Sequence, residues 1–355
     1  MNLDIVSKHR AALYGFAIIW VVLFHAVVLN KVDFSFGHRS LEFFHTVIGC
    51  GNVGVDVFLF LSGVSLYYSF HKNPDTIQFL KKRLIRVVPA VWLVYIVWWS
   101  YRYLIADFSP VGFLSRMSML RFWMTGDGSI WYVSLILVLY FLYPFIHHFL
   151  FDEGHRPVLR CAILMGSVYV LLILLANVNP ELFDMTEIAT TRFPVFILGS
   201  LIGKYTYEKR QISKWWIIPI FAVALGFLVA LHFDIFGEYP KYYERFFYLL
   251  GGVSFSYGFA LICCAFDRVA DKAKRPLHRF LSFVGGFSLE LYLSHIMLNQ
   301  VLRSMPWYIE GSLTQYLAMA AIAFVLAWVV MKIIDFWKDH SRILNPKKSK
   351  AEVNG

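Results

Sequence analysis

The chain has 355 residues, of which 59% are hydrophobic and 16% charged, and its formal net charge is +10. Globular chains carry about 25% charged residues, whereas here 18% of residues are aromatic and the mean hydropathy is +0.60. These figures exclude a disordered chain, a collagen-like fibre and a disulfide-stapled secreted module, and leave an all-α polytopic membrane protein.

A helix needs about 20 mostly apolar residues to cross the hydrocarbon core. Ten such stretches are predicted, at roughly 11–30, 51–70, 87–106, 129–150, 159–177, 190–206, 214–233, 246–266, 281–303 and 312–336. The first reads as a span and not as a cleavable leader. An even count puts both termini on one side of the membrane. That side holds 24 of the Lys and Arg residues and the other side holds 9, so both termini are expected in the cytoplasm. Trp98, Trp99, Tyr101 and Tyr103 at the outer end of the third span, and Trp215 and Trp216 at the inner start of the seventh, fit aromatic belts. Residues 1–340 are read as one transmembrane domain and 341–355 as a basic, disordered tail. The basic excess sits beside apolar runs, which points to membrane lipid and not nucleic acid as its partner. Cys50, Cys161, Cys263 and Cys264 form no Cys-x-x-Cys pattern and have no histidines at ligand spacing. They are read as small apolar fillers, and no metal is expected.

An ionisable side chain inside a span costs a few kcal/mol, so each is a candidate for function. His25, Asp56, Glu290 and His295 are the four. At 1.5 Å per residue, His25 lies about 21 Å along the first span. Asp56 lies just below the outer end of the second span, and His295 is as far along the ninth as His25 is along the first. Three titratable groups from three helices are thus predicted at similar depth. Each also has a plain structural reading as a hydrogen-bonded or partly solvated packing residue, and Glu290 reads equally as the partner of an inner-face arginine. Lys81, Lys82, Arg83 and Arg86 precede Pro89, which suits the first turn of the third span. The cluster is either ordinary inner-face charge or a phosphate-binding group, since guanidinium forks match phosphate oxygens. Gly51 and Gly54, with Ser62 and Gly63, are read as sites of close helix packing. Arg192, at the outer start of the sixth span, is either an interface anchor or a contact to an acceptor.

The residues then resemble a known family, the acyltransferase-3 membrane acyltransferases. The first span ending in VVLFHA around His25 resembles that family's catalytic-histidine helix. GVDVFLFLSG (54–63), KKRLIRVVPAVW (81–92), IWYVSLILVLYFLYP (130–144), RFPVFILGSLIG (192–203) and FSLELYLSH (287–295) follow the family pattern in the same order. The resemblance implies O-acylation, most commonly O-acetylation, of a cell-surface glycan or its lipid-linked precursor from acyl-CoA. It implies a bacterial cytoplasmic membrane as the location. It also implies His25 as base or nucleophile with Asp56, Glu290 and His295 around it. Arg10, Tyr14, Lys82, Arg83 and Arg86 fall to the acyl-CoA side, and Trp131 and Arg192 to the acceptor. One departure stands out: the family has an arginine eleven residues before the first-span histidine, whereas here that position is Tyr14 and the nearest arginine is Arg10. The rival expectation is a transporter or flippase for a lipid-linked sugar, in which the buried His, Asp and Glu form a proton or substrate path.

Overall fold

The computed structural model describes residues 2–151, 156–235, 237, 240–269 and 276–340. The tail expected at 341–355 lies outside them. Among the described residues every regular element is helical. The long helices are α1 (Arg10–Asn30), α2 (Val53–Lys72), α3 (Thr76–Ser100), α4 (Trp131–Phe151), α5 (Pro157–Val178) and α6 (Phe193–Tyr207), followed by α7 (Ile217–His232), α8 (Lys241–Val269), α9 (Pro276–Gly286), α10 (Ser288–Ser304) and α11 (Leu313–His340). Among the described residues, nine helical stretches are long and apolar enough to cross a membrane, and α9 with α10 make a tenth, bent by 72°. Helices dominate because backbone N–H and C=O groups in hydrocarbon must bond within their own segment.

The burial pattern sets the layers. In an apolar 18-residue window of the stretch ending at Lys72, 78% of residues are buried within the protein, against 11% in the corresponding windows of Pro157–Val178 and Lys214–His232. The second span is therefore the hub, and α5 and α7 face outward. Glycines let the hub approach its neighbours. A Cβ on Gly51 would lie 2.3 Å from the Trp20 carbonyl oxygen of α1, and one on Gly63 would lie 2.3 Å from the Phe196 oxygen of α6. Gly199 meets the Phe60 oxygen in the same way. This is the small-residue packing that substitutes for a hydrophobic drive between helices in lipid.

Two spans differ from the sequence expectation. The third helix begins eleven residues earlier than predicted, because Asp75 caps it by accepting a hydrogen bond from the Gln78 amide at 2.9 Å. Lys81, Lys82, Arg83 and Arg86 are consequently helical, and Pro89 lies mid-helix and not in the first turn. A proline there removes the bond to the Ile85 carbonyl. The ninth span is not one straight helix but breaks at Phe287. α9 is held flat against α1: a Cβ on Gly285 would lie 1.9 Å from the Ala11 carbonyl oxygen, and one on Gly15 would lie 1.9 Å from that of Leu281. Phe287 is fully buried beside the Phe283 and Phe324 rings, each with a centroid separation of 5.2 Å. The break thus places the first turn of α10 inside the protein, where irregular backbone is tolerated.

Overpacking a tight interface costs about 1–3 kcal/mol, and Gly285→Val meets backbone with no flexible side chain to yield. The variant is expected to lower the thermal midpoint of the purified protein in detergent by several degrees, whereas Gly286→Ala, whose Cβ meets nothing within 4 Å, leaves it much closer to wild type.

Candidate active site

His25 on α1 and His295 on α10 face each other, with His25 Nδ1 2.8 Å from His295 Nε2. The neighbouring bond decides the tautomers. His295 Nδ1 lies 2.9 Å from the Leu291 carbonyl oxygen, which can only accept. His295 therefore carries its proton on Nδ1 and offers Nε2 as an acceptor, and His25 donates to it from its own Nδ1. The remaining nitrogen of neutral His25, Nε2, keeps its lone pair. A relay of this form orients a basic imidazole just as a carbonyl or carboxylate behind it would. His295 is fully buried, whereas His25 is half-buried and lines a cavity.

That cavity measures 740 Å³ and lies toward the ends of the helices away from the N-terminus, walled by His25, Trp131, Arg192, Tyr292, Asn299 and Arg303. It falls within the usual range for a small-molecule site, about 300–1,000 Å³. A second cavity of 200 Å³ lies on the N-terminal side, walled by Tyr14, Ser62, Arg86, Tyr132, Tyr140 and Ser288. Val21, Val55 and Tyr292 line both. The larger, outer cavity at His25 and the smaller, inner one on the N-terminal side thus share part of their walls.

The carboxylates predicted near His25 are paired elsewhere. Asp56 Oδ1 lies 3.4 Å from Arg192 Nε, and both side chains are 2% exposed. Glu290, in the first turn of α10, accepts a two-pronged contact from Arg86 of α3, with Arg86 Nη2 3.1 Å from Oε2. The sequence reading offered Asp56 or Glu290 to orient His25; the structure gives each an arginine and gives His25 a histidine. Arg86 is thus charge-paired with Glu290, with its side chain still 36% exposed. An ionised group in an apolar bundle needs a counter-charge, and each carboxylate took the nearest guanidinium. Among the remaining basic candidates, Arg83 lies 5.3 Å from the Phe79 ring centroid and 6.0 Å from that of Tyr140. Lys82 donates to Gln78 at 3.3 Å, and Arg10 to Ser65 at 3.1 Å. Tyr14 stacks on Phe58 with centroids 5.3 Å apart. Trp131 takes the Arg192 guanidinium over its ring at 4.9 Å.

Several residues of the site had no role in the sequence reading. Arg245 of α8 lines the outer cavity and lies 3.5 Å from Glu187. Asn299 Oδ1, Asn52 Oδ1 and Arg245 Nη1 are buried without a hydrogen-bond partner among the described residues. His295, Asn299 and Arg303 recur every fourth residue along α10, a polar stripe that was visible in the sequence. The mouth of the cavity is braced outside the spans: Arg116 grips Asp127 and Ser129 and donates to the Tyr103 hydroxyl at 3.1 Å. Burial opposes ionisation of Asp127, but Arg116 and the Ser129 hydrogen bonds prevail and hold its carboxyl below the ordinary 3.8.

A depressed carboxyl contributes stability above its unfolded pKa and loses it as the pH falls through the folded one. Asp127→Asn is therefore expected to cost about 1.5–3 kcal/mol at neutral pH, the usual value of a charge-assisted pair. In melts on lipid discs, that deficit should shrink as the pH drops below 3.8. Removing one member of the buried Asp56–Arg192 pair strands the other, at a cost of about 3–5 kcal/mol. Arg192→Met should show that loss in denaturation, and adding Asp56→Leu should restore part of it.

The motifs quoted from the sequence now have a geometry behind them. The family model for an acyltransferase domain (Acyl_transf_3) matches residues 12–332, nearly the whole chain and both histidines of the pair. No curated protein and no solved structure matches significantly. The chain belongs to the acyltransferase-3 family of multi-pass membrane acyltransferases.

Proposed function

We propose that the protein transfers an acetyl group from acetyl-CoA, bound from the cytoplasm, to a hydroxyl of a surface glycan or its lipid-linked precursor at the outer side of a bacterial cytoplasmic membrane. The observation that carries this reading is His25 itself. Its Nε2 keeps its lone pair because Nδ1 donates to His295, and it lines the larger of two cavities that share a wall. The positive-inside count supports the orientation, with both termini cytoplasmic.

In this mechanism Arg83, Lys82 and Arg10 meet the nucleotide phosphates on the N-terminal face. The thioester arm passes Tyr14 and Tyr140 in the inner cavity and reaches His25 past Val21 and Tyr292. The acceptor occupies the outer cavity. The orphaned polar atoms of Asn52, Asn299 and Arg245 suit a polyhydroxylated ligand, because each is costly to leave buried without a partner. His25 Nε2 takes the proton of the acceptor hydroxyl as its oxygen bonds to the thioester carbonyl carbon. The tetrahedral intermediate then collapses with cleavage of the C–S bond, and the imidazolium returns the proton to the departing CoA thiolate. Arg192 and Asn299 supply donors for the oxyanion.

A general base contributes about 10²–10⁴-fold. His25→Ala, at wild-type abundance in the membrane, should therefore abolish detectable acetyl groups when surface glycans from a complemented deletion strain are compared by mass spectrometry. His295→Gln, which disturbs only the orientation of the base, should lower them less. Full acetylation in the His25→Ala strain would overturn the mechanism.

A further inference from the structure

His9, Cys263 and His278 meet at the N-terminal face of the bundle, apart from both cavities. They come from three elements: His9 immediately precedes α1, Cys263 is near the end of α8, and His278 is in the first turn of α9. One ligand atom from each, two imidazole nitrogens and a sulfur, all lie within 4.8 Å of one another. His9 Nδ1 and His278 Nε2 are 3.2 Å apart, and the two rings cross at 86°. His9 is 3% exposed and Cys263 7%, while His278 is half-buried and gives the cluster its access.

The spacing fits a tetrahedral ion. With Zn–N bonds of about 2.0–2.1 Å and Zn–S of about 2.3 Å, ligand atoms around zinc stand about 3.3–3.6 Å apart. The imidazole nitrogens already span such an edge, and closing the sulfur onto it takes a shift of about an ångström. The surroundings match as well. Ligating imidazoles usually have a carboxylate or similar group behind the ring, which fixes the tautomer. The other nitrogen of His9, Nε2, lies 3.3 Å from Cys264 Sγ and 3.9 Å from Asp267 Oδ2, and Asp267 is in turn 3.6 Å from Lys8 Nζ. Two imidazoles and one thiolate suit zinc over the oxygen-preferring magnesium and calcium.

We propose that His9, Cys263 and His278 bind a zinc-class divalent ion. The ion clamps the start of α1 to α8 and α9. α1 carries His25 at its far end, and α9 leads through the break into α10 with His295. The clamp therefore fixes the inner ends of both segments that form the histidine pair.

The test is metal titration of the full-length protein in detergent, carrying a tag free of histidine and stripped with chelator. Cobalt(II) is expected to bind with one equivalent per chain, giving tetrahedral d–d bands and a thiolate-to-cobalt charge-transfer band, both bleached by added zinc(II). Cys263→Ser should remove the charge-transfer band. His278→Gln should weaken binding at least about tenfold. Because His9 and Cys263 are buried, the half-exposed His278 carries the test if either of their variants fails to fold. Absence of the bands in wild type, or an unchanged spectrum and affinity in Cys263→Ser and His278→Gln, would overturn the site.

Discussion

Charge inside an apolar bundle has to be answered by opposite charge, and that constraint sets the partners of the buried carboxylates in this protein. Asp56 meets Arg192, Glu187 meets Arg245 and Glu290 meets Arg86, each pair joining two different helical segments. A lone buried ion would cost several kcal/mol, so these contacts fix which helices face which as firmly as the glycine seams do. Their pairing also spares the histidines. With every nearby carboxylate engaged, His25 finds a neutral imidazole as its partner, and the proton on His295 Nδ1 is pinned by the Leu291 carbonyl.

The broken ninth span is where packing turns into chemistry. α1 and α9 meet closely at Gly15 and Gly285, just before the chain breaks at Phe287. The chain turns by 72° and buries the first turn of α10. Glu290 sits in that turn, where the helix dipole favours a carboxylate. The same turn supplies Ser288 to the inner cavity, and the following turns carry Tyr292 and Asn299 to the outer one, with His295 buried behind His25. One helix thus spans both compartments that the proposed transfer needs.

The two cavities differ in character. The inner one is narrow and lined by tyrosines and by an arginine already paired, which fits the neutral arm of the proposed thioester donor. The outer one is larger, and several buried polar atoms of the residues around it lack partners among the described residues, which is why the proposed acceptor is placed there. Its mouth is held by the Arg116–Asp127–Ser129 brace, which lies in the connection between α3 and α4 and outside the membrane-spanning segments.

The sequence by itself determined the all-helical membrane architecture and the positions of its spans. Hydrophobic length and backbone hydrogen bonding leave a chain in lipid almost no alternative, and both are local properties. It also singled out His25, Asp56, Glu290 and His295, because an ionisable residue in an apolar run stands out without any partner being known. Only the tertiary structure decided the partners. His25 and His295 lie 270 residues apart, and so does the choice of Arg192 and not His25 for Asp56 rest on helix neighbours that no local pattern encodes. The early start of α3 is capped by a bond from Asp75, and the break at Phe287 comes just after a close approach of Gly285 to α1, a neighbour far away in the chain. His9, Cys263 and His278 carried no signal at all, since their spacing along the chain is unlike any metal motif and their proximity arises where three helix ends converge.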